Sequence, residues 1–174
     1  MGPRVLVAGI GNIFFRDDGF GPAVAEAMQS AAPLPDGVRV VDYGIRGMHL
    51  TYDLLDGVDA LVLVDAVPTT TSGARSGPGT ITVLEVGQDD LGPAEFDAHG
   101  MQPVAVLAGL GSLGGKLPPT YVVGCVPADV SAGMGLSEPV QTAVGQGVAV
   151  VDELVRRLAD GAVGSRTSGP EGGE

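Results

Sequence analysis

In a chain of 174 residues with two histidines and one cysteine, few side chains can do chemistry. Asp17 and Asp18 close the stretch V-L-V-A-G-I-G-N-I-F-F-R-D-D-G-F-G at positions 5–21, and Asp65 stands near the end of the most apolar run, D-A-L-V-L-V-D-A-V. His99 lies in D-A-H-G-M. Two carboxylates and one imidazole make an oxygen and nitrogen donor set suited to a divalent transition metal. The bland alternative is that an Asp at a strand end caps a turn or helix, and for one of Asp17 and Asp18 capping is the expected role. Cys125, in V-V-G-C-V-P, could instead pair with His99 as a thiol nucleophile. It sits within an apolar strand, however, where a cysteine is usually inert core. His49 reads as a solvated helix residue. No G-x-S-x-G nucleophile elbow and no phosphate loop is present. The third glycine of a dinucleotide fingerprint is replaced by Phe14, which weakens a nucleotide-binding α/β module as a second reading.

These residues need a frame that gathers them. Residues 5–8 are a short apolar run, as a strand buried on both faces of a parallel sheet reads. Gly9 and Gly11 punctuate the turn after it, and residues 20–31 have helical composition. Residues 38–43 read as the second strand, 48–55 as a short amphipathic helix and 59–67 as the third strand. If the first strand lies between the second and third, the boundary between strands one and three is the switch point where ligands collect. Asp18 and Asp65 then face one crevice. Residues 80–86 alternate like a strand, but no crossover helix precedes them, so this strand should run antiparallel to the third. Its far end leaves residues 87–98 to return to the Asp65 edge and deliver His99. A helix over 101–113, a last parallel strand over 120–126 and a long helix over 137–158 complete the unit. In that helix Ser137 is the expected N-cap, Pro139 lies in the first turn, and Gly145 and Gly147 imply close packing on the sheet. The expectation is an α/β three-layer sandwich. It has a twisted, mostly parallel sheet of about five strands, one of them antiparallel, with helices on both faces. Residues 1–160 form a single domain, and the polar, glycine-rich residues 161–174 read as a disordered tail.

Composition narrows the partners. A net charge of −12 argues against nucleic acid, and one cysteine excludes an internal disulfide or a multi-cysteine zinc site. No apolar run approaches the ~20 residues that span a bilayer, and no signal-type segment opens the chain. A cytoplasmic protein without membrane attachment is expected.

Taken together, G-I-G-N-I-F-F-R-D-D-G-F-G, D-Y-G-I-R-G-M-H-L, L-V-L-V-D-A-V, D-A-H-G-M and Y-V-V-G-C-V-P resemble the nickel–iron hydrogenase maturation endopeptidases. The pieces keep that family's order and spacing over roughly residues 4–158. The resemblance implies removal of a C-terminal peptide from a hydrogenase large-subunit precursor once nickel is in place. It assigns the metal-binding and catalytic trio to Asp18, Asp65 and His99. It also implies no tightly bound cofactor, with nickel supplied by the substrate and other divalent ions able to occupy the site in vitro. A monomer or weak dimer is expected. Many family members carry Glu at the position of Asp18 and Thr at that of Ile45; the shorter carboxylate keeps metal-binding capacity, while the second change removes a hydroxyl. A non-catalytic chaperone or scaffold that senses nickel in a partner is the other reading the residues leave open.

Overall fold

The computed structural model describes residues 2–31, 33–67, 77–86, 107, 110 and 113–161. In chain order these form β1 (Val5–Ile10), a single 3-10 turn (Arg16–Gly19), α1 (Phe20–Ser30), β2 (Val38–Gly44) and α2 (Gly47–Leu55). There follow β3 (Ala60–Ala66), β4 (Ile81–Val86), β5 (Thr120–Cys125) and α3 (Glu138–Ala159). The strands make one sheet in the order β2-β1-β3-β5-β4. All neighbours are parallel except β4, which pairs antiparallel with β5. The place of β1 between β2 and β3 is the order supposed from the sequence, and the reversed direction of β4 matches the reading from connection lengths.

Side-chain alternation splits the core into two halves. Val5, Val7, Val62, Val64 and Val123 pack with α1 and α3 on one face. Leu6, Ala8, Leu61, Leu63 and Val122 pack on the other with Leu50 and Leu54 of α2 and with Leu107 and Leu110. A sheet covered on both faces needs apolar residues at every strand position, and β1 and β5 are buried throughout. The edge strand β4 is less enclosed and mixes half-buried with exposed positions, with Ile81 packing on one core half and Leu84 and Val86 on the other.

Glycine sets the distance between α1 and the sheet. A β-carbon on Gly21 would sit 2.2 Å from the carbonyl oxygen of Val64 and 2.3 Å from that of Ile10. One on Gly9 would sit 2.6 Å from the Gly21 carbonyl oxygen. Gly9 is therefore a strand residue at a close helix contact, not part of the turn, which begins at Gly11 with φ +144°. In α3 the two glycines differ, and neither packs on the sheet. A β-carbon on Gly147 would meet the Phe20 ring of α1 at 2.9 Å, whereas one on Gly145 meets nothing.

Leu107 and Leu110 are helical and buried, within the helix expected over 101–113. The remainder of that helix up to residue 112, the return path over 87–98 and the tail beyond Gly161 lie outside the described residues. Among the described residues no helix is long and apolar enough to cross a membrane.

Helix propensity alone makes Gly→Ala stabilising by about 1 kcal/mol at either helical site. The packing separates them. Gly145→Ala should raise stability by about that amount. Gly21→Ala should lower it by about 3 kcal/mol or prevent folding, because backbone atoms of two strands would have to move. Thermal melting of the two variants checks the opposite signs.

Candidate functional site

The site lies at the carboxyl edge of the parallel strands, where the loops after β1 and β5 meet. Asp17 and Asp18 are consecutive residues of the 3-10 turn, yet their surroundings differ completely. Asp17 is fully buried (0% exposed). Its carboxylate accepts hydrogen bonds from the backbone N–H of Ala128 (2.8 Å), Asp129 (2.9 Å) and Ser137 (2.7 Å), and from the Ser137 hydroxyl (2.8 Å). Burial alone would raise its pKa, but the donors from Ser137, Asp129 and Ala128 outweigh that and hold it below the usual carboxylate value. Asp17 is a structural tie between two loops some 110 residues apart in sequence. Backbone hydrogen bonds from Asp17 N–H to the Asp129 carbonyl, from Arg16 N–H to that of Gly133 and from Gly133 N–H to that of Phe14 complete the seam.

Neither aspartate caps α1 as expected. The N-cap is Gly19, with no side-chain bond to the helix. Ser137 does occupy the N-cap of α3, but its hydroxyl is spent on Asp17 instead of on the helix.

Asp18 is half-buried and accepts one hydrogen bond, from the Asn12 backbone N–H at 2.7 Å. The backbone leaves little choice about its place, since a β-carbon on Gly11 would lie 1.8 Å from the Asp18 carbonyl oxygen. Asp65 is the penultimate residue of β3 and only 7% exposed. Among the described residues its one hydrogen bond comes from the Ala66 N–H, 2.8 Å away. Burial raises its pKa well above the ordinary value, and the negative charge of Asp18 raises it further; the Ala66 donor offsets this only in part. The two carboxylates thus sense one another across the β1/β3 switch point, and among the described residues no Lys or Arg pairs with either.

The third member of the expected trio, His99, lies outside the described residues. Among those described, no three His, Cys, Asp or Glu side chains cluster as a metal site. The donor chemistry of Asp18 and Asp65 nevertheless fits a cation. Two carboxylates that repel one another, one of them buried with a single hydrogen bond, are relieved by positive charge placed between them.

The rival readings find less support among the described residues. Cys125 is fully buried, and burial pushes its thiol up to about 11, with the charge of Asp17 adding to the effect. Such a thiol is core, not a nucleophile. His49 is exposed on α2, as its sequence context suggested. Gly9 in β1 and Gly21 in α1 let the helix approach the sheet, and Gly11 in the turn lies against Asp18, so these positions are explained without a nucleotide. What sequence reasoning missed is the role of Asp17. The signal was there in the D-D pair, but its partners at 128–137 are distant in the chain.

Comparison with known proteins follows the same lines. The sequence model described as hydrogenase maturation protease matches residues 22–153. The hydrogenase 2 maturation protease of Escherichia coli K12 is 30% identical over 145 residues, covering 81% of this chain and 84% of that protein. The coenzyme F420 hydrogenase subunit delta of Methanothermobacter thermautotrophicus is 32% identical over 159 residues, covering 87% and 94%. Among solved structures, the hydrogenase maturating endopeptidase HybD from E. coli superposes with a TM-score of 0.74 at 27% identity, covering 88% of this chain and 93% of that one.

The two neighbouring aspartates should respond oppositely to substitution. Asp17→Ala leaves several buried donors unpaired at about 1–3 kcal/mol each, so the variant should lose at least about 3 kcal/mol in chemical denaturation. Asp65→Asn should be more stable than the parent at neutral pH. Because the folded pKa of Asp65 is raised, its ionisation penalises the fold increasingly as pH climbs from the unfolded value of about 3.9 towards the folded one. Below about pH 4 the carboxyl is protonated in both states, and the advantage of Asn should vanish. Melting temperatures of both proteins across pH 3–8 test the sign.

Proposed function

The chain belongs to the hydrogenase maturation protease family, and from that premise we propose that it removes the C-terminal extension of a nickel–iron hydrogenase large-subunit precursor after nickel insertion, recognising the nickel bound in that substrate. The chain is a peptide hydrolase of this family; the precursor, the timing and the nickel handle are our reading of its site. The observation that carries it is the carboxylate pair. Asp65 is buried at the end of β3, its charge is opposed by that of Asp18, and among the described residues no basic side chain compensates either. Electrostatics of this kind favour a cation arriving from outside over a resident one, because two carboxylates and one imidazole hold a divalent ion only weakly.

In this reading Asp18 and Asp65 present carboxylate oxygens to the substrate's nickel, and His99, placed by its D-A-H-G-M motif, presents an imidazole nitrogen. The shared ion docks the precursor and fixes its C-terminal segment at the sheet edge, so that the scissile carbonyl is held for attack by water. Positioning is the main contribution the protein's own residues make. A pre-oriented peptide avoids much of the entropic cost of bringing carbonyl and water together. The rigid seam made by Asp17 keeps Asp18 in place, and the strand backbone keeps Asp65 in place.

The test is to mix the purified protein with nickel-free and nickel-loaded precursor and follow the released C-terminal peptide by mass spectrometry. Cleavage is expected only of the loaded form. Asp18→Ala, Asp65→Ala and His99→Ala should each abolish it, while Cys125→Ala retains it. Equal cleavage of both precursor forms would remove nickel gating from the mechanism, and activity in Asp65→Ala would remove the trio.

A further inference from the structure

Exposed large apolar side chains are normal when scattered. Here many of them gather. Ile13, Phe14 and Phe15 in the loop after β1, Ile45 after β2, and Val130 and Met134 after β5 are all solvent-exposed, Phe14 at 60% and Met134 at 64%. All stand at the carboxyl edge of the parallel strands, the edge that carries Asp18 and Asp65.

The loops after β1 and β5 are not loose. Phe15 and Gly133 form a parallel bridge, flanked by the Arg16–Gly133 and Gly133–Phe14 backbone hydrogen bonds at 3.0 and 2.8 Å. The four bonds to Asp17 lock the same two loops from beneath. Arg16 takes the left-handed conformation at φ +48°, unlike any other described residue except glycines, and a β-carbon on Gly133 would meet its guanidinium at 2.7 Å. The chain therefore accepts strain to hold these loops together. Apolar side chains fixed in water on a rigid frame keep their full hydration cost and lose little entropy when covered.

We propose that the bridged loops 12–16 and 129–134 are a docking platform for an apolar stretch of the hydrogenase precursor beside its cleaved segment, with Phe14 and Met134 as the anchors. The inference rests on the functional reading above and deepens it by naming a second contact besides the shared ion. The occupant is the precursor and not a second copy of the chain. Two copies meeting at this edge would bring together their acid pairs within two molecules each carrying a net charge of −12. The precursor's nickel offers the opposite charge at the same place.

The experiment measures affinity of the full chain for purified nickel-loaded precursor by calorimetry, alongside cleavage and sedimentation of the free protein. The double variant Phe14→Ser/Met134→Ser should bind about tenfold more weakly or worse, as loss of buried anchors typically does. Its melting temperature should stay close to the parent's. Tyr52→Ser, which removes an equally exposed aromatic from α2, should bind like the parent. Phe14→Ser alone serves if the double variant folds poorly. Unchanged affinity in the double variant overturns the platform while leaving the protease reading intact. Equal weakening by Tyr52→Ser overturns it as well, as does a parent dimer that the double variant dissolves without loss of precursor affinity. If the parent binds precursor through Phe14 and Met134 but does not cut it, the platform stands and the protease reading falls.

Discussion

The Asp17 carboxylate is the point on which the functional edge of this molecule depends. It is buried in a place where a negative charge would be costly without partners, and it is kept ionised by donors from Ala128, Asp129 and Ser137. Those donors belong to the loop after β5 and to the start of α3, while Asp17 belongs to the loop after β1. One side chain thereby joins the two halves of the chain at the end of the sheet where the strands open towards solvent. The Phe15–Gly133 bridge and the strained Arg16 are consequences of that closure.

Two aspartates side by side in sequence receive opposite treatment, and the difference is physical. Asp17 meets an abundance of donors and becomes structure. Among the described residues Asp18 meets a single one, from Asn12, and Asp65 a single one, from Ala66. Carboxylates left short of donors, near one another, are unfavourable to the fold, and the raised pKa of Asp65 expresses that cost. Such a cost persists when function needs the charge, and stability is recovered elsewhere. Here the recovery is visible in a sheet buried on both faces and in the glycine-mediated approach of α1 to β1 and β3.

Much of the fold was legible in the sequence because its signals are local. Apolar β-branched runs marked β1, β3 and β5, helical spacing of Val140, Val144, Val148, Val151, Val155 and Leu158 marked α3, and a connection without a crossover helix indicated the direction of β4. Of the site, Asp18 and Asp65 were placed at one crevice by strand order alone. Apart from the boundary of the first turn, which put Gly9 outside β1, what the sequence did not show was long-range. Ser137 takes the N-cap position as read, but its hydroxyl bonds Asp17, 120 residues away, a partner that local N-cap preference does not reveal. The same holds for the expected aspartate cap on α1. Gly145 and Gly147 looked equivalent by spacing, but only contact with Phe20 distinguishes them. Periodicity says which face of a helix is apolar; it does not say what that face meets.

The charge of the whole molecule bears on how the site is used. With nine basic against twenty-one acidic side chains, the chain repels anionic surfaces and has few cations to spare for its acid pair. The described arginine ion pairs go to Asp129, Asp53 and Asp152, all away from Asp65. An acid pair with no basic partner among the described residues keeps an attraction for cations. A protease whose substrate carries a cation would gain discrimination from that arrangement. Charge interactions strengthen where water is excluded, and covering the apolar loops would exclude more of it around the half-buried Asp18. The cation and the apolar contact therefore reinforce each other: a free ion lacks the apolar surface, and an apolar chain without the ion leaves two carboxylates buried unpaired. A partner offering both is favoured over one offering either by more than the sum of the two contacts taken separately.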